Sequence, residues 1–369
     1  MLFADESNPP QAESDGSADA PAPGTTDRSF VPGVVRIVKT VRLPSITFCM
    51  APHASTGKMF CGGSDFGVYA FDPAAEKPEA VRLSETGHES YVTGMICHED
   101  IVVSGSYDGS LIWWNTADGS VIRRVANAHG RWIRRLALSP DGTRLASVAD
   151  DMQTRIWNVA SGECLLCLGD YDLETPNGYP SMLYAVTWSA DGAWLATGDK
   201  TGRVLIRDSS DGRVIRTMET PVMYTWDPKA RRHSIGGIRS LAFSPDGRMI
   251  AVGGMGQVGN IDHLGGASRI EVFRTDGGER VFEIEDQKYK GLVEGLRFSS
   301  DSQWLLAAGG DHGGFLSVYD MTGGNLLTQE KIPNHVHDLI LRSDNSVVTV
   351  GHEQAAVVQL EEAAPSATG

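Results

Sequence analysis

Histidine beside a carboxylate recurs late in this chain, as Asp262-His263, Asp311-His312 and His352-Glu353. Imidazole and carboxylate together suit a divalent metal ion, and such an ion could support ligand binding or hydrolysis. No local ligand spacing links the pairs. Asp262, His263, Asp311, His312 and His352 would form a site only if separate turns converge. The plainer account makes them solvated turn residues. A second group is aromatic and basic: Met223, Tyr224 and Trp226 stand beside Lys229, Arg231, Arg232 and His233. Tyr, Trp and Arg are the residues that anchor protein interfaces, so this chemistry is binding rather than turnover. Cys164 and Cys167 form a CxxC with no second pair. In an apolar strand, positions i and i+3 point to opposite faces, so both are expected as small buried hydrophobes. No G-x-S-x-G, phosphate loop or H-E-x-x-H occurs. Gly253-Gly254 and Gly265-Gly266 read as hinge and turn glycines.

The elements that must position these groups are short strands. Gly is tolerated poorly inside helices, and the chain carries 42 Gly in 369 residues. Between residues 31 and 360 one phrase repeats: an apolar strand, a tight turn, a strand, a polar turn, a strand ending in an aromatic, and a fourth strand. The clearest copy covers 129–168, with the turn Ser139-Pro140-Asp141-Gly142 placing Pro and Gly at favoured positions of a type I turn. That turn recurs at 189–192, at 244–247 and, degraded, at 299–302. The third strand recurs as VYAFD (68–72), LIWWN (111–115), VLIRD (204–208), IEVFR (270–274) and LSVYD (316–320). Four short strands at a period near 40–45 residues are the signature of propeller blades.

Gly87-His88 with Ser104, Asp108, Trp114 and Asn115, and Ala128-His129 with Ser147, Asp151, Trp157 and Asn158, resemble the WD40 family pattern. The resemblance implies two hydrogen-bonded structural tetrads, His88, Ser104, Asp108 and Trp114, then His129, Ser147, Asp151 and Trp157. It covers most of the chain, although Phe71, Arg207, Phe273 and Tyr319 replace Trp elsewhere and Thr201 stands where Asp is expected. The paired His/Asp turns are then either relics of degraded tetrads or candidate ligands. The expected fold is all-β: a seven-bladed β-propeller with four-stranded antiparallel blades. First strands are expected to start near residues 45, 91, 132, 182, 236, 291 and 335. The seventh copy lacks a fourth strand, and VVRIVKTVRL (34–43) is expected to supply it and close the ring.

Spacing between equivalent turn residues rises to 50 from Gly142 to Gly192 and to 55 from Gly192 to Gly247. The added length falls at 170–182, 219–236 and 254–267, which strand order assigns to one face, conventionally the top. Long loops on a rigid scaffold are where binding concentrates. The expected partner-binding residues are Tyr91, Tyr107, Arg131, Trp132, Tyr179, Tyr224, Trp226, Arg231 and Arg232, and Tyr171 could join them. Tyr224 and Trp226 could instead fold inward and plug the central channel.

Residues 1–30 are rich in Pro, Ala, Ser and acids and are expected to be a disordered tail, as are residues 361–369. A single domain would therefore occupy 31–360. The net charge of −15 argues against a nucleic-acid partner, and no apolar run is long enough for a membrane helix. The tails carry −7 of that charge, so the body holds −8 and its 223–233 loop is locally basic, leaving room for an acidic peptide. Five cysteines, few and odd in number, fit a reducing cytoplasmic compartment. The expectation is a cytoplasmic, monomeric, non-catalytic scaffold that needs no cofactor and binds a protein or peptide through its top face. The competing reading is a metal-dependent hydrolase or ligand-binding propeller using the His/Asp turns of blades 5–7.

Overall fold

The computed structural model describes residues 30–363 apart from 228, 230, 231, 263 and 264, so most of both expected tails lies outside the described residues. The chain opens with a long strand, β1 (Pro32–Pro52), then β2 (Met59–Gly63), β3 (Val68–Phe71) and β4 (Val81–Arg82). One blade follows from β5 (Val92–His98), β6 (Ile101–Ser106), β7 (Leu111–Asn115) and β8 (Val121–Val125). The next contains β9 (Ile133–Leu138), β10 (Arg144–Ala149), β11 (Thr154–Asn158) and β12 (Cys164–Leu168). A third contains β13 (Leu183–Trp188), β14 (Trp194–Asp199), β15 (Arg203–Asp208) and β16 (Val214–Glu219). A separate ribbon, β17 (Tyr224–Asp227) and β18 (His233–Gly236), precedes β19 (Ser240–Phe243), β20 (Met249–Met255), β21 (Ala267–Arg274) and β22 (Arg280–Lys290). The last elements are β23 (Leu292–Phe298), β24 (Trp304–Gly310), β25 (Gly314–Asp320), β26 (Leu326–Ile332), β27 (Val336–Leu341) and β28 (Ser346–Glu362).

These strands make five four-stranded antiparallel sheets and one six-stranded sheet of order β27-β28-β1-β2-β3-β4, besides the ribbon. The fold is thus an all-β propeller with four-stranded blades, arranged as six sheets where seven blades were expected. The difference lies in two long strands. β1 pairs with β28 from Pro32 to Ile46 and with β2 from Thr47 to Pro52. β28 pairs with β27 through Gly351 and with β1 from His352 to Glu362. The expected C-terminal tail therefore starts two residues late, because Glu361 and Glu362 extend the ladder with Val34 and Pro32.

The turns follow local chemistry. Gly142, Gly192 and Gly247 close their hairpins at φ 73°, 71° and 71°, and each donates its N–H to the serine three residues back at 2.9 Å. Ser302 takes the same left-handed conformation at φ 60° in the degraded copy. Second strands such as β10 and β14 are almost wholly buried because sheets pack against both faces, while fourth strands such as β8 and β12 run along the perimeter. Cys164 and Cys167 sit on β12 and are exposed, contrary to the buried placement expected of an apolar strand. Side chains interdigitate between neighbouring sheets: Val103, Trp113, Ile133, Leu145 and Trp157 form one such core, and the Trp113 indole donates to the Val159 carbonyl at 2.8 Å. No helix among the described residues is long and apolar enough to cross a membrane.

Candidate functional site

The two histidine–serine–tryptophan groups are structural links. His129 precedes β9, Ser147 lies on β10, Asp151 on the β10–β11 turn and Trp157 on β11. The Asp151 carboxylate can only accept, so His129 Nδ1 carries a proton and donates to it at 3.1 Å. That leaves Nε2 to accept the Ser147 hydroxyl at 2.7 Å, and Ser147 Oγ in turn accepts the Trp157 indole N–H at 2.9 Å. His88, Asp108, Ser104 and Trp114 repeat the chain at 3.1, 2.7 and 2.8 Å. Burial works against the Asp108 and Asp151 carboxylates, but the histidines and backbone N–H donors outweigh it and hold both below the usual range. Burial pushes the His129 imidazole down, so it stays neutral. Both histidine side chains are fully enclosed and fully engaged, which suits a strut rather than a reactive centre.

Other blades fill the same interior differently. Arg207, in the tryptophan position of β15, is completely buried and reaches Asp170 Oδ2 at 2.5 Å and the Gly212 carbonyl at 3.1 Å. Tyr171 is buried, with its hydroxyl on Thr197 at 2.9 Å, so it does not join a surface cluster. Thr201 donates to Asp199, which supplies the carboxylate two residues earlier than the family pattern. In β21, Arg269 and the fully buried Glu271 pair at 2.8 Å and extend to Arg280 and Glu283.

A half-buried group of residues surrounds the mouth of the central channel. In six first strands the pairing register slips past one residue at an equivalent place, skipping Phe48, Thr93, Arg134, Tyr184, Glu294 and His337. A bulge re-aims the side chain of the skipped residue. Together with Arg239, which stands just before β19, these residues line a cavity of about 190 Å³ with Tyr107 and Arg135. Arg134 is pinned by two 2.7 Å bonds to Asp150 and lies 4.8 Å over Tyr107, 5.2 Å over Trp132 and 5.1 Å over Tyr184. The Arg239 guanidinium sits 3.8 Å over the Tyr184 ring. Lys200 adds a cation whose pKa is lowered first by burial and then by Arg239.

An aromatic row runs outward from this mouth. Tyr107 and Trp132 stack at 4.6 Å with rings 2° from parallel, Tyr91 lies 5.6 Å from Tyr107, and Phe66 and Phe48 flank Tyr91 at 6.0 and 5.6 Å. Tyr91 and Trp132 are 41% and 48% exposed, large aromatic areas left in water. Arg131 is exposed beside them. The structure thus gathers Tyr91, Tyr107 and Trp132, with Phe48, Phe66, Arg134, Tyr184 and Arg239, which the residue-by-residue reading missed. Aligning the copies on their first strands would have brought the channel ring to notice, since each member follows a buried residue by one position.

The 223–233 segment forms a second group. Trp226 packs on Tyr179 at 5.2 Å, and Tyr224 donates to Asn177 Oδ1 at 2.7 Å. Neither lines the channel-mouth cavity, so they do not plug it there. Arg232 is exposed, while Arg231 lies outside the described residues. The hairpin occupies residues through Gly236, which moves the next first strand to Ser240 rather than 236.

Among the described residues, the suggested metal ligands are not found together. Asp262 is exposed on the β20–β21 loop, His263 lies outside the described residues, and His312 is solvent-facing, 3.7 Å from its neighbour Asp311. His352 instead joins His335 and His337.

Blades of four antiparallel strands, stapled inside by His–Ser–Trp chains and set round a channel, define a β-propeller. Residues 81–115, 120–158, 172–208 and 228–258 match the model of the WD domain, G-beta repeat, so the chain carries WD40 repeats at these four places. It is similar to apoptotic protease-activating factor 1 of Rattus norvegicus, 28% identical over 157 residues that cover 42% of this chain and 11% of that one. It is also similar to eukaryotic translation initiation factor 3 subunit I. The Drosophila ananassae protein is 25% identical over 211 residues, 57% of this chain and 60% of that one. The Culex quinquefasciatus protein is 28% identical over 185 residues, 50% and 51% of the two. The match spans less than two thirds of each relative.

Proposed function

We propose that this chain is a non-catalytic scaffold that binds a protein or peptide partner through the face bearing the channel mouth. The observation that carries the reading is the Tyr107–Trp132 stack with Arg134 locked against it by Asp150, half open to water at the channel rim. Rigid aromatics beside an oriented guanidinium lose little entropy on binding, which is the character of an interface hot spot. Arg134, Arg239 and Lys200 favour an acidic segment over the mouth, although the whole chain is acidic. Tyr179, Tyr224, Trp226, Arg231 and Arg232 extend the surface over the long loops. Similarity to a subunit of an initiation factor supports a partner protein.

The ring has seven blades in this reading, within one domain spanning 31–360 to which Glu361 and Glu362 add the end of β28. Its support is the two long strands: each changes partner midway, so the six-stranded sheet serves as two blades sharing β28 and β1. First strands β1, β5, β9, β13, β19, β23 and β27 all line the axial cavity of about 480 Å³. The five free cysteines suit a reducing, cytoplasmic setting. Affinity capture from native cells tests the binding face. Tyr91→Ala with Trp132→Ala is expected to lose the principal partner while the melting temperature stays near wild type. Full retention of that partner by the double variant would move the site off the channel rim.

A further inference from the structure

Three histidines that the partner-binding reading does not use lie together beside the channel. His335 comes just before β27, His337 is the re-aimed residue on β27, and His352 is where β28 changes partner. Their rings stack in pairs at 4.4, 5.1 and 5.8 Å, and one ring nitrogen from each lies within 4.8 Å of the others. Hydrogen bonding fixes the tautomer of the innermost. His335 Nδ1 is 3.1 Å from the Asp311 carbonyl, which can only accept, so Nδ1 carries the proton and Nε2 keeps its lone pair. This is the arrangement in which a backbone carbonyl orients a metal-binding imidazole. His335 is 5% exposed, and neither its Nε2 nor that of His337 has a hydrogen-bond partner. Buried nitrogens left unsatisfied are uncommon in folded proteins and call for a bound species.

We propose that His335, His337 and His352 bind a borderline divalent ion such as Zn²⁺ at the channel rim. Imidazole selects ions of this class over Mg²⁺ or Ca²⁺, which prefer oxygen. Bonds of about 2.0–2.1 Å in a tetrahedral shell put ligand atoms about 3.3 Å apart. The rings must therefore turn from stacked to convergent and close by about 1.5 Å at most, and His352, exposed on its turn, is free to make that movement and gives the ion its entry path. Glu294 Oε1, 4.0 Å from His335 Nε2, is placed to give a fourth ligand and a compensating charge. Arg135 and Arg239 act against a cation here, and Arg135 is itself neutralised by Asp338 at 2.7 Å.

The test uses the full chain without a polyhistidine tag, dialysed against Zn²⁺ and analysed for retained metal, with Co²⁺ absorption reporting the ligand shell. One equivalent of Zn²⁺ and a tetrahedral Co²⁺ spectrum are expected. His352→Ala, at an exposed site, should fold normally and weaken Zn²⁺ binding at least about tenfold, the lower end of what even outer-shell partners contribute. His312→Ala should bind as wild type. Failure to retain stoichiometric Zn²⁺ overturns the proposal, as does unchanged affinity in His352→Ala or loss of binding in His312→Ala.

Discussion

At Ser147, as at Ser104, one buried oxygen joins a histidine to a tryptophan. The Ser147 hydroxyl receives the Trp157 indole N–H at 2.9 Å and donates to His129 Nε2 at 2.7 Å, and the residue has no exposed surface. Ser147→Ala removes the oxygen and leaves two buried groups without partners, an indole N–H and an imidazole lone pair. At about 1–3 kcal/mol for each unsatisfied group, the loss is about 2–6 kcal/mol. Unfolding entropy near 2.1 cal/mol/K per residue over about 330 ordered residues converts this to a fall in melting temperature of about 3–9 °C. Thermal and urea melts of Ser147→Ala, Trp157→Phe and the double variant measure both the loss and its origin. Phe removes the orphaned N–H, so the double variant should cost less than the sum of the singles by about 1–3 kcal/mol. A fall below about 1 °C, or strict additivity of the two changes, would refute the hydrogen-bond chain as the source of stability.

Acid should weaken the fold in two windows. His129 is held below its unfolded value, so its contribution is whole above about pH 6.5 and lost as pH falls below it, whereas Asp108 and Asp151, also held low, lose theirs only below about pH 3.9. The stability difference between wild type and His129→Gln in urea should therefore narrow from pH 7 to pH 5, and a constant difference would contradict the neutral buried imidazole. Removing residues 1–29 should leave the melting temperature unchanged, whereas removing 1–43 strips the β1 segment paired with Gln354–Glu362 and should abolish cooperative melting; a truncated 44–369 chain that melts like wild type would sink ring closure by β1.

Much of the fold was legible because each turn carries its own chemistry. Ser-Pro-Asp-Gly specifies a left-handed glycine whatever surrounds it, and the hairpins at Gly142 and Gly247 follow. Strand positions were legible for the same reason, as was the expectation that residues 34–43 need a partner strand. Exposure was not legible. Cys164 and Cys167 lie in an apolar run, yet whether a strand faces a neighbouring sheet or the perimeter depends on its rank in the blade. The candidate site was half legible. Tyr91, Tyr107 and Trp132 announced themselves as aromatics at strand ends, but Phe48 and Tyr184 reach the same rim through the register slip, which strand periodicity does not encode, and Arg239 reaches it from just before β19. His335, His337 and His352 come together for a related reason: β27 and β28 are hydrogen-bonded neighbours, so residues remote in sequence share one end.

The distribution of long loops has a physical cause in the staples. His129 sits on the loop entering its blade and grips Asp151 on the β10–β11 turn, while Asp151 also receives the Gly130 N–H at 2.9 Å. His88 and Asp108 tie the preceding blade in the same way, with the Glu89 N–H on Asp108 at 2.9 Å. Each tether holds two neighbouring connections at a fixed separation, so neither can lengthen without breaking a buried hydrogen bond. Where the histidine is missing, that restraint is absent. In the blade of β13–β16, Arg207 on β15 reaches Asp170 at the root of the 170–182 connection, and in that of β19–β22 Arg269 pairs with Glu271 of the same strand; neither pair joins the two connections of its blade as His129 and Asp151 do. Those are the blades that carry the insertions at 170–182, 219–236 and 254–267. Of these two pairs Arg269–Glu271 is buried at both ends, and such a pair gives little net stability beside a hydrophobic or fully satisfied core. These blades therefore combine the weaker interior with the freedom to grow loops, and the stapled blades supply the rigid rim on which Tyr91, Tyr107 and Trp132 are displayed.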